Sequence, residues 1–122
     1  MNNVAQKETP AHSLASELEY MHGVIAYVQD EIGKGDENEG DVRKQLRGIS
    51  TSIAGLMEDW EFDEDKRIYC RLDYFTGLLA LAENKIKNTH SILVVAEIDL
   101  KVLRREIIEL VTELRGVKAN DQ

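Results

Sequence analysis

The pair of side chains best spaced for metal chemistry is Glu19 and His22, in the run Glu-Tyr-Met-His. On a helix, this three-residue spacing places a carboxylate and an imidazole on one face. Di-iron helical bundles use two such pairs and two further glutamates. This sequence has a single Glu-x-x-His pair, since neither His12 nor His90 has a glutamate three residues before it. We therefore interpret Glu19 and His22 as surface or core-edge residues, and predict no metal and no cofactor.

A second chemical candidate is Cys70, the only cysteine in the chain. A cysteine nucleophile needs a histidine base and a stabilised thiolate, and the nearby cations Lys66, Arg67 and Arg71 could supply only the second. The sequence has no P-loop, no Rossmann glycine fingerprint, no His-Glu-x-x-His and no Gly-x-Ser-x-Gly. We interpret Cys70 as a packing residue and predict that the protein is not an enzyme. A metal-dependent helical-bundle enzyme stays as the second alternative.

The acidic junction, residues 58–65, carries six acids among eight residues. Read as a calcium loop that begins at Asp59, it should have glycine at position six and glutamate at position twelve. Those positions hold Glu64 and Cys70. The glycine-rich loop that begins at Asp36 fails the same test, so neither segment is predicted to bind calcium.

Part of the acidic junction has a structural explanation. Asp63 can cap the third helix, and acids in a first turn complement the helix dipole. Trp60 continues the apolar stripe of the second helix, four residues after Leu56. Acids beside aromatic residues also suit docking to a basic protein. The candidate docking residues are Glu58, Asp59, Trp60, Glu61 and Phe62.

Charge and composition narrow the function classes. The net charge is −8, which argues against direct binding of nucleic acid, because phosphate contacts require a basic surface. No apolar run is longer than the one from Ile92 to Ala96, and this length is far shorter than a membrane span. A single cysteine and an N-terminus without an apolar signal region lead us to expect a cytoplasmic protein with no membrane contact.

The elements that carry these residues are predicted to be helices. Apolar residues recur in alternating steps of four and three, as in Leu14, Leu18, Met21, Ile25, Val28 and Ile32. Such a 3.5-residue repeat implies left-handed, nearly antiparallel packing of neighbouring helices. Helices are predicted near 10–33, 41–61, 63–87 and 90–116. We predict an all-α fold, an antiparallel four-helix bundle over residues 10–116, with flexible ends at 1–9 and 117–122.

Helix ends were assigned from capping residues. Asp41 is predicted to cap the second helix, and Asn88 or Thr89 the fourth, because these side chains accept hydrogen bonds from free N–H groups in a first turn. Gly116 is predicted to end the fourth helix.

Helices three and four carry more apolar residues than one seam needs. Cys70, Tyr74, Gly77 and Leu81 form a second stripe on the third helix, and Gly77 suits a place where another helix approaches closely. The fourth helix is predicted to direct Val94, Val95, Ile98 and Val102 away from its main seam. We call the resulting surface the second apolar face, and its predicted interface residues are Tyr74, Gly77, Leu81, Val95, Ile98 and Val102.

Three roles fit the second apolar face: packing inside the bundle, a homodimer interface, or a groove for a different partner. Twofold dimers are the commonest soluble oligomers, so we expect a homodimer. The predicted function is a non-catalytic protein–protein interaction module, a homodimeric regulator or adaptor with an additional basic protein partner. The first alternative is an acidic inhibitor that mimics nucleic acid and binds a DNA- or RNA-handling protein.

Overall fold

The structure is a computed structural model, which describes residues 10–35, 38–60 and 66–120, with side chains to residue 116. The described residues form four helices and no strand: α1 (Pro10–Gly33), α2 (Glu39–Trp60), α3 (Arg67–Thr89) and α4. Helix α4 consists of three consecutive segments, a first turn Ile92–Val94, a π-helical segment Val95–Asp99 and the α-helix Leu100–Asn120. The all-α prediction is confirmed, and the arrangement is consistent with a helical bundle. None of these helices is long and apolar enough to cross a membrane.

Two predicted caps are wrong. Asn38 caps α2, because its side-chain oxygen accepts a hydrogen bond from the backbone N–H of Asp41 at 2.9 Å. Ser91 caps α4 and accepts from the N–H of Val94 at 3.4 Å. Each true cap lies three residues before the N–H that it binds, which is the reach of a short side chain at this position. Helix α4 also continues four residues past Gly116, and the predicted cap at residue 63 lies outside the described residues.

The connection between α3 and α4 turns at His90. This residue has a φ of 58° and donates its backbone N–H to the carbonyl of Ile86 at 2.8 Å. A left-handed residue after the last turn is a common way to end a helix. The His90 ring lies 3.0 Å from a carboxylate oxygen of Glu39, at the start of α2. The turn is therefore tied to a neighbouring helix.

The core lies along the predicted seams. The first helix buries all six of its predicted residues, and Leu72, Phe75 and Leu79 of α3 are buried as well. Leu56 and Trp60 are partly buried against this core. The core contains no buried polar side chain among the described residues. Burial of these apolar groups is the main term that stabilises the bundle.

The start of α4 departs from the predicted pattern, in which Leu93, Ala96 and Leu100 begin the main seam of the fourth helix. Val95 is completely buried, whereas Leu93 is 53% exposed. The reason is the π-helical segment, in which the N–H of Leu100 bonds to the carbonyl of Val95, five residues back. A π turn contains an extra residue and therefore rotates the residues before it relative to those after it. Leu93 leaves the core, and Val95 replaces it.

The helices pack in close pairs. Helix α2 packs mainly against α3, and α1 packs mainly against α4, while α1 and α2 touch each other much less. Ion pairs accompany the close contacts: Arg71 lies 3.0 Å from Glu113 between α3 and α4, and Arg47 binds Glu83 between α2 and α3. The hydrogen bond from Arg47 lowers the pKa of Glu83 below its ordinary value. The thin contact between α1 and α2 leaves a groove on that side.

Candidate functional site

The second apolar face is exposed over much of its predicted extent. Tyr74 is 47% exposed, Leu81 63% and Ile98 54%, and Gly77 is also exposed. Val102 is half-buried. Large apolar side chains grouped on one side of a soluble protein are typical of a binding surface.

Two positions on this face differ from the prediction. Val95 lies in the core rather than on the surface, because of the π-helical segment. Leu93 and Val94 are exposed instead, at the first turn of α4. Of these two residues, Val94 belongs to the predicted face, whereas Leu93 is predicted to lie on the main seam. The π-helical turn has no simple signature in the sequence, so the exposure of Leu93 could not be read from the spacing.

Cys70 is exposed, so the interpretation as a packing residue is wrong. It lines a cavity of about 630 Å³ at the end of the bundle where α1 and α3 begin. Lys66, Arg67 and Arg71 line the same cavity, and its apolar walls include Ile68 and Leu110. No histidine is among the described residues that line the cavity.

The Glu19–His22 pair is held by arginines. The Nη1 atom of Arg115 lies 2.9 Å from Glu19, and the Nε of Arg104 donates to Nε2 of His22 at 3.3 Å. A cation at each ligand atom opposes the binding of a metal ion there. Across the described residues, no group of three metal-ligating side chains comes together.

Arg104 also belongs to a network at the π-helical segment. Its Nη1 atom donates to the side-chain oxygen of Gln29 at 2.6 Å. The amide nitrogen of Gln29 donates in turn to the carbonyl of Ala96 at 2.6 Å. Ala96 lies inside the π-helical segment. The network therefore links α1 to the irregular turn of α4 through part-buried polar groups, where satisfied hydrogen bonds specify one arrangement.

We expect His22 to make the stability of the protein depend on pH. Burial and then the nearby Arg104 guanidinium hold the pKa of His22 below its ordinary value of 6.5, although Glu19 acts in the opposite direction. The unfolded chain therefore binds a proton more readily than the folded chain. The contribution of His22 is fully present above pH 6.5 and is lost as the pH falls through the lower folded pKa.

Two measurements check this expectation. An NMR titration should give His22 a pKa below 6.5, and urea unfolding at about pH 7.5 and pH 5.5 should show a smaller loss of stability for His22→Gln than for the wild type. An NMR pKa at or above the ordinary value would contradict it.

A long groove runs between α1 and α2. It consists of two adjacent cavities of about 620 and 600 Å³, since Glu17 and Leu56 line both of them. We call this surface the α1–α2 groove. Its remaining lining residues from α1 are Pro10, Ser13, Leu14, Tyr20, Met21, Val24 and Tyr27. Those from α2 are Gln45, Gly48, Ile49, Ser52, Asp59 and Trp60.

The groove is mostly apolar, and tyrosines stand along one edge. Tyr20 is 72% exposed and Tyr27 60%, with the half-buried Val24 between them. On the opposite wall, Gly48 and Ser52 are exposed and small. The steps of four and three from Tyr20 through Val24 to Tyr27 are visible in the sequence, and they could have revealed this stripe. The second apolar stripes predicted from the sequence lie on the third and fourth helices, so this stripe of the first helix was not predicted.

The groove contains two of the predicted docking residues. Asp59 and Trp60 line one end of it, whereas Glu58 is exposed and is not among its lining residues. The other two docking candidates, Glu61 and Phe62, lie outside the described residues. The α1–α2 groove, rather than the acidic junction alone, is therefore the second candidate binding surface.

Comparison of the chain with protein-family models, with curated proteins and with solved structures found no significant match. The function is therefore inferred from the side chains described above.

Proposed function

We propose that the protein is a non-catalytic helical interaction module, a homodimeric regulator or adaptor that acts by binding. The observation that carries this proposal is the exposure of Tyr74 and Leu81 on α3 and of Ile98 on α4. Exposed apolar area is unfavourable in water at about 25 cal/mol per Å². Burial of these three side chains against a second copy would remove that cost.

The geometry of Gly77 supports a helix-to-helix interface. An added Cβ at this position would meet no other atom within 4 Å, so space is open beside the backbone. A glycine on an exposed helix lowers helix stability by about 1 kcal/mol relative to alanine, and close approach of another helix is a reason to keep one. Tyr74 and Leu81 flank it, three residues before and four residues after.

We also propose that the four helices form a left-handed, antiparallel bundle. Pairs between neighbouring helices support this arrangement, because residue numbers fall on one helix as they rise on the other. Between α2 and α3, Glu39 pairs with His90 and Arg47 with Glu83. The pairs between α1 and α4 follow the same order: Glu19 with Arg115, and Gln29 with Arg104.

The acidic-inhibitor alternative has less support. A nucleic-acid mimic presents carboxylates that a basic protein can reach. Along the described helices, Glu83, Asp99 and Glu113 are each paired with a cation of a neighbouring helix. Their charges are therefore partly used inside the bundle, which favours binding through apolar surfaces.

The dimer is tested by a double substitution, Leu81→Asp with Ile98→Asp. Both side chains are more than half exposed, so the fold should tolerate the change, while two buried carboxylates at an interface would be strongly unfavourable. We expect the wild type to sediment as a dimer and the double variant as a monomer, at the same concentration and with unchanged helical circular dichroism.

A matched control is Tyr27→Asp, which changes an equally exposed apolar residue in the α1–α2 groove. This variant should remain a dimer. A wild type that sediments as a monomer at high concentration would refute the proposed dimer. If Tyr27→Asp dissociated the dimer and the double substitution had no effect, the interface would lie at the α1–α2 groove and not at the second apolar face.

A further inference from the structure

We propose that the α1–α2 groove is a second binding site, which takes a basic amphipathic helix from a different protein. This site is separate from the second apolar face and does not depend on the proposed dimer. It adds to the interaction function a partner of defined chemistry: a helix with an apolar stripe and with lysine or arginine beside that stripe.

The first argument is shape. The groove extends along α1 from Pro10 to Tyr27, which corresponds to about 26 Å at 1.5 Å per residue. A partner helix of about 17 residues would fill this length. Amphipathic helices bind in such grooves through apolar residues at positions i, i+3 or i+4 and i+7.

The second argument is the difference between the two walls. Tyr20 and Tyr27 provide exposed aromatic area on α1, and aromatic residues are the usual anchors of interfaces. On α2, a Cβ added at Gly48 would meet no atom within 4 Å, and Ser52 lies one turn further along the same wall. Small residues on this wall leave space for the side chains of an incoming helix.

The third argument is charge. Among the described residues that line the groove, only Glu17 and Asp59 are charged, and both are acidic. Neither forms an ion pair with any residue in the described part of the chain. On α2, Arg43 and Arg47 bind Glu83 of α3, whereas Lys44 is exposed and precedes Gln45, at the other end of α2 from Asp59. A partner with positive charges beside its apolar stripe would therefore complement the groove.

The same charges argue against a second copy as the occupant. A twofold interface brings the same patch of both subunits together. Two copies of the groove would bring Glu17 and Asp59 of both subunits into one interface, in a chain with a net charge of −8. Like charges at an interface weaken binding. A different, basic partner avoids this repulsion.

The direct test uses a model peptide and the fluorescence of Trp60, the only tryptophan in the chain and a lining residue of the groove. The probe is a helix of about 18 residues with a leucine stripe flanked by lysines. We expect saturable binding that shifts the Trp60 emission and weakens as salt is raised. Two control peptides have the lysines replaced by glutamate, or the same composition in scrambled order, and both should bind at least about tenfold more weakly.

Two leucine variants of α2 locate the site on the protein. Gly48 lines the groove, whereas Ala54 is exposed on the same helix and lines neither cavity. Gly48→Leu should weaken binding of the lysine peptide about tenfold or more, since the new side chain occupies the groove. Ala54→Leu should leave the affinity unchanged, and both variants should keep the helical circular dichroism of the wild type.

Charge variants test the basic character of the partner. Glu17→Lys and Asp59→Lys should each weaken the lysine peptide by about threefold, as expected for an exposed ion pair. Glu109→Lys makes the same charge reversal at an exposed position of α4. It should lower the affinity for the lysine peptide only by the amount that the change in net charge causes.

Several results would overturn the proposal. Equal binding of the lysine, glutamate and scrambled peptides would do so, as would equal effects of the Gly48 and Ala54 substitutions. A Gly48→Leu variant that changes the oligomeric state of the free protein would show that the groove holds a second copy. Because sedimentation of Leu81→Asp with Ile98→Asp reports on the other surface, failure of this proposal and failure of the dimer can be told apart.

Discussion

Replacement of Phe75 by alanine is expected to lower the free energy of unfolding by about 3–5 kcal/mol. Phe75 is the largest of the fully buried side chains in the described part of the chain, and it lies in α3 between the buried residues Leu72 and Leu79. The substitution removes the apolar ring from the core and leaves a cavity that the rigid neighbours fill only in part. Urea unfolding followed by circular dichroism measures the change, which should appear as a lower midpoint with the slope conserved.

The adjacent residue provides a matched control. Tyr74 is also aromatic and lies on the same helix, but it is 47% exposed, and its ring centroid is 6.3 Å from that of Phe75. Tyr74→Ala should therefore cost about 1 kcal/mol or less in the monomer. Measurements should be made on the dissociated protein, because Tyr74 belongs to the proposed dimer interface. Equal losses for the two variants would contradict the assignment of Phe75 to the core.

The second large effect is expected from Gln29→Leu, which should destabilise the protein by about 2 kcal/mol. Leucine has a similar size but cannot accept a hydrogen bond from Arg104 or donate one to the carbonyl of Ala96. Both partners are part-buried, so each would lose a hydrogen bond in a place where water replaces it poorly. Urea unfolding gives the magnitude, and slow hydrogen exchange at Leu100 should also become faster, because its N–H closes the π-helical turn.

Gln45→Leu is the control for this substitution. Gln45 is half-buried like Gln29, but it has no hydrogen bond to the described part of the chain and lines the α1–α2 groove. The same change of side chain there should alter stability by less than about 0.5 kcal/mol. A similar loss of stability from both substitutions would mean that the hydrogen bonds of Gln29 add nothing to stability beyond the packing of its side chain.

The heptad spacing predicted most of the core because helical periodicity is a local property. Leu14, Leu18 and Ile25 lie on one side of α1 by geometry alone, and their apolar character decides that this side is buried. The same reasoning identified the exposed stripe with Tyr74 and Leu81. It failed at Leu93 and Val95, because one π-helical turn shifts the phase, and that turn is hydrogen-bonded to Gln29 of another helix.

The capping residues show a different limit. Asn38 and Asp41 both have the side chains of caps, and they are three residues apart. Which of them accepts the hydrogen bond depends on where the backbone becomes helical, and composition places that point only within a few residues. Asn38 accepts the N–H of Asp41, so the first turn begins earlier than predicted.

The amino-acid sequence by itself determined the helical class, the side of each regular helix that is buried and the presence of a second apolar stripe on α3. These features follow from spacing along one chain segment, whose geometry each helix sets for itself. Only the tertiary structure decided which helices pack closely and which leave space between them. Because α1 packs mainly against α4 and α2 mainly against α3, the edge between α1 and α2 stays open, and Tyr20, Tyr27 and Gly48 become the walls of a groove.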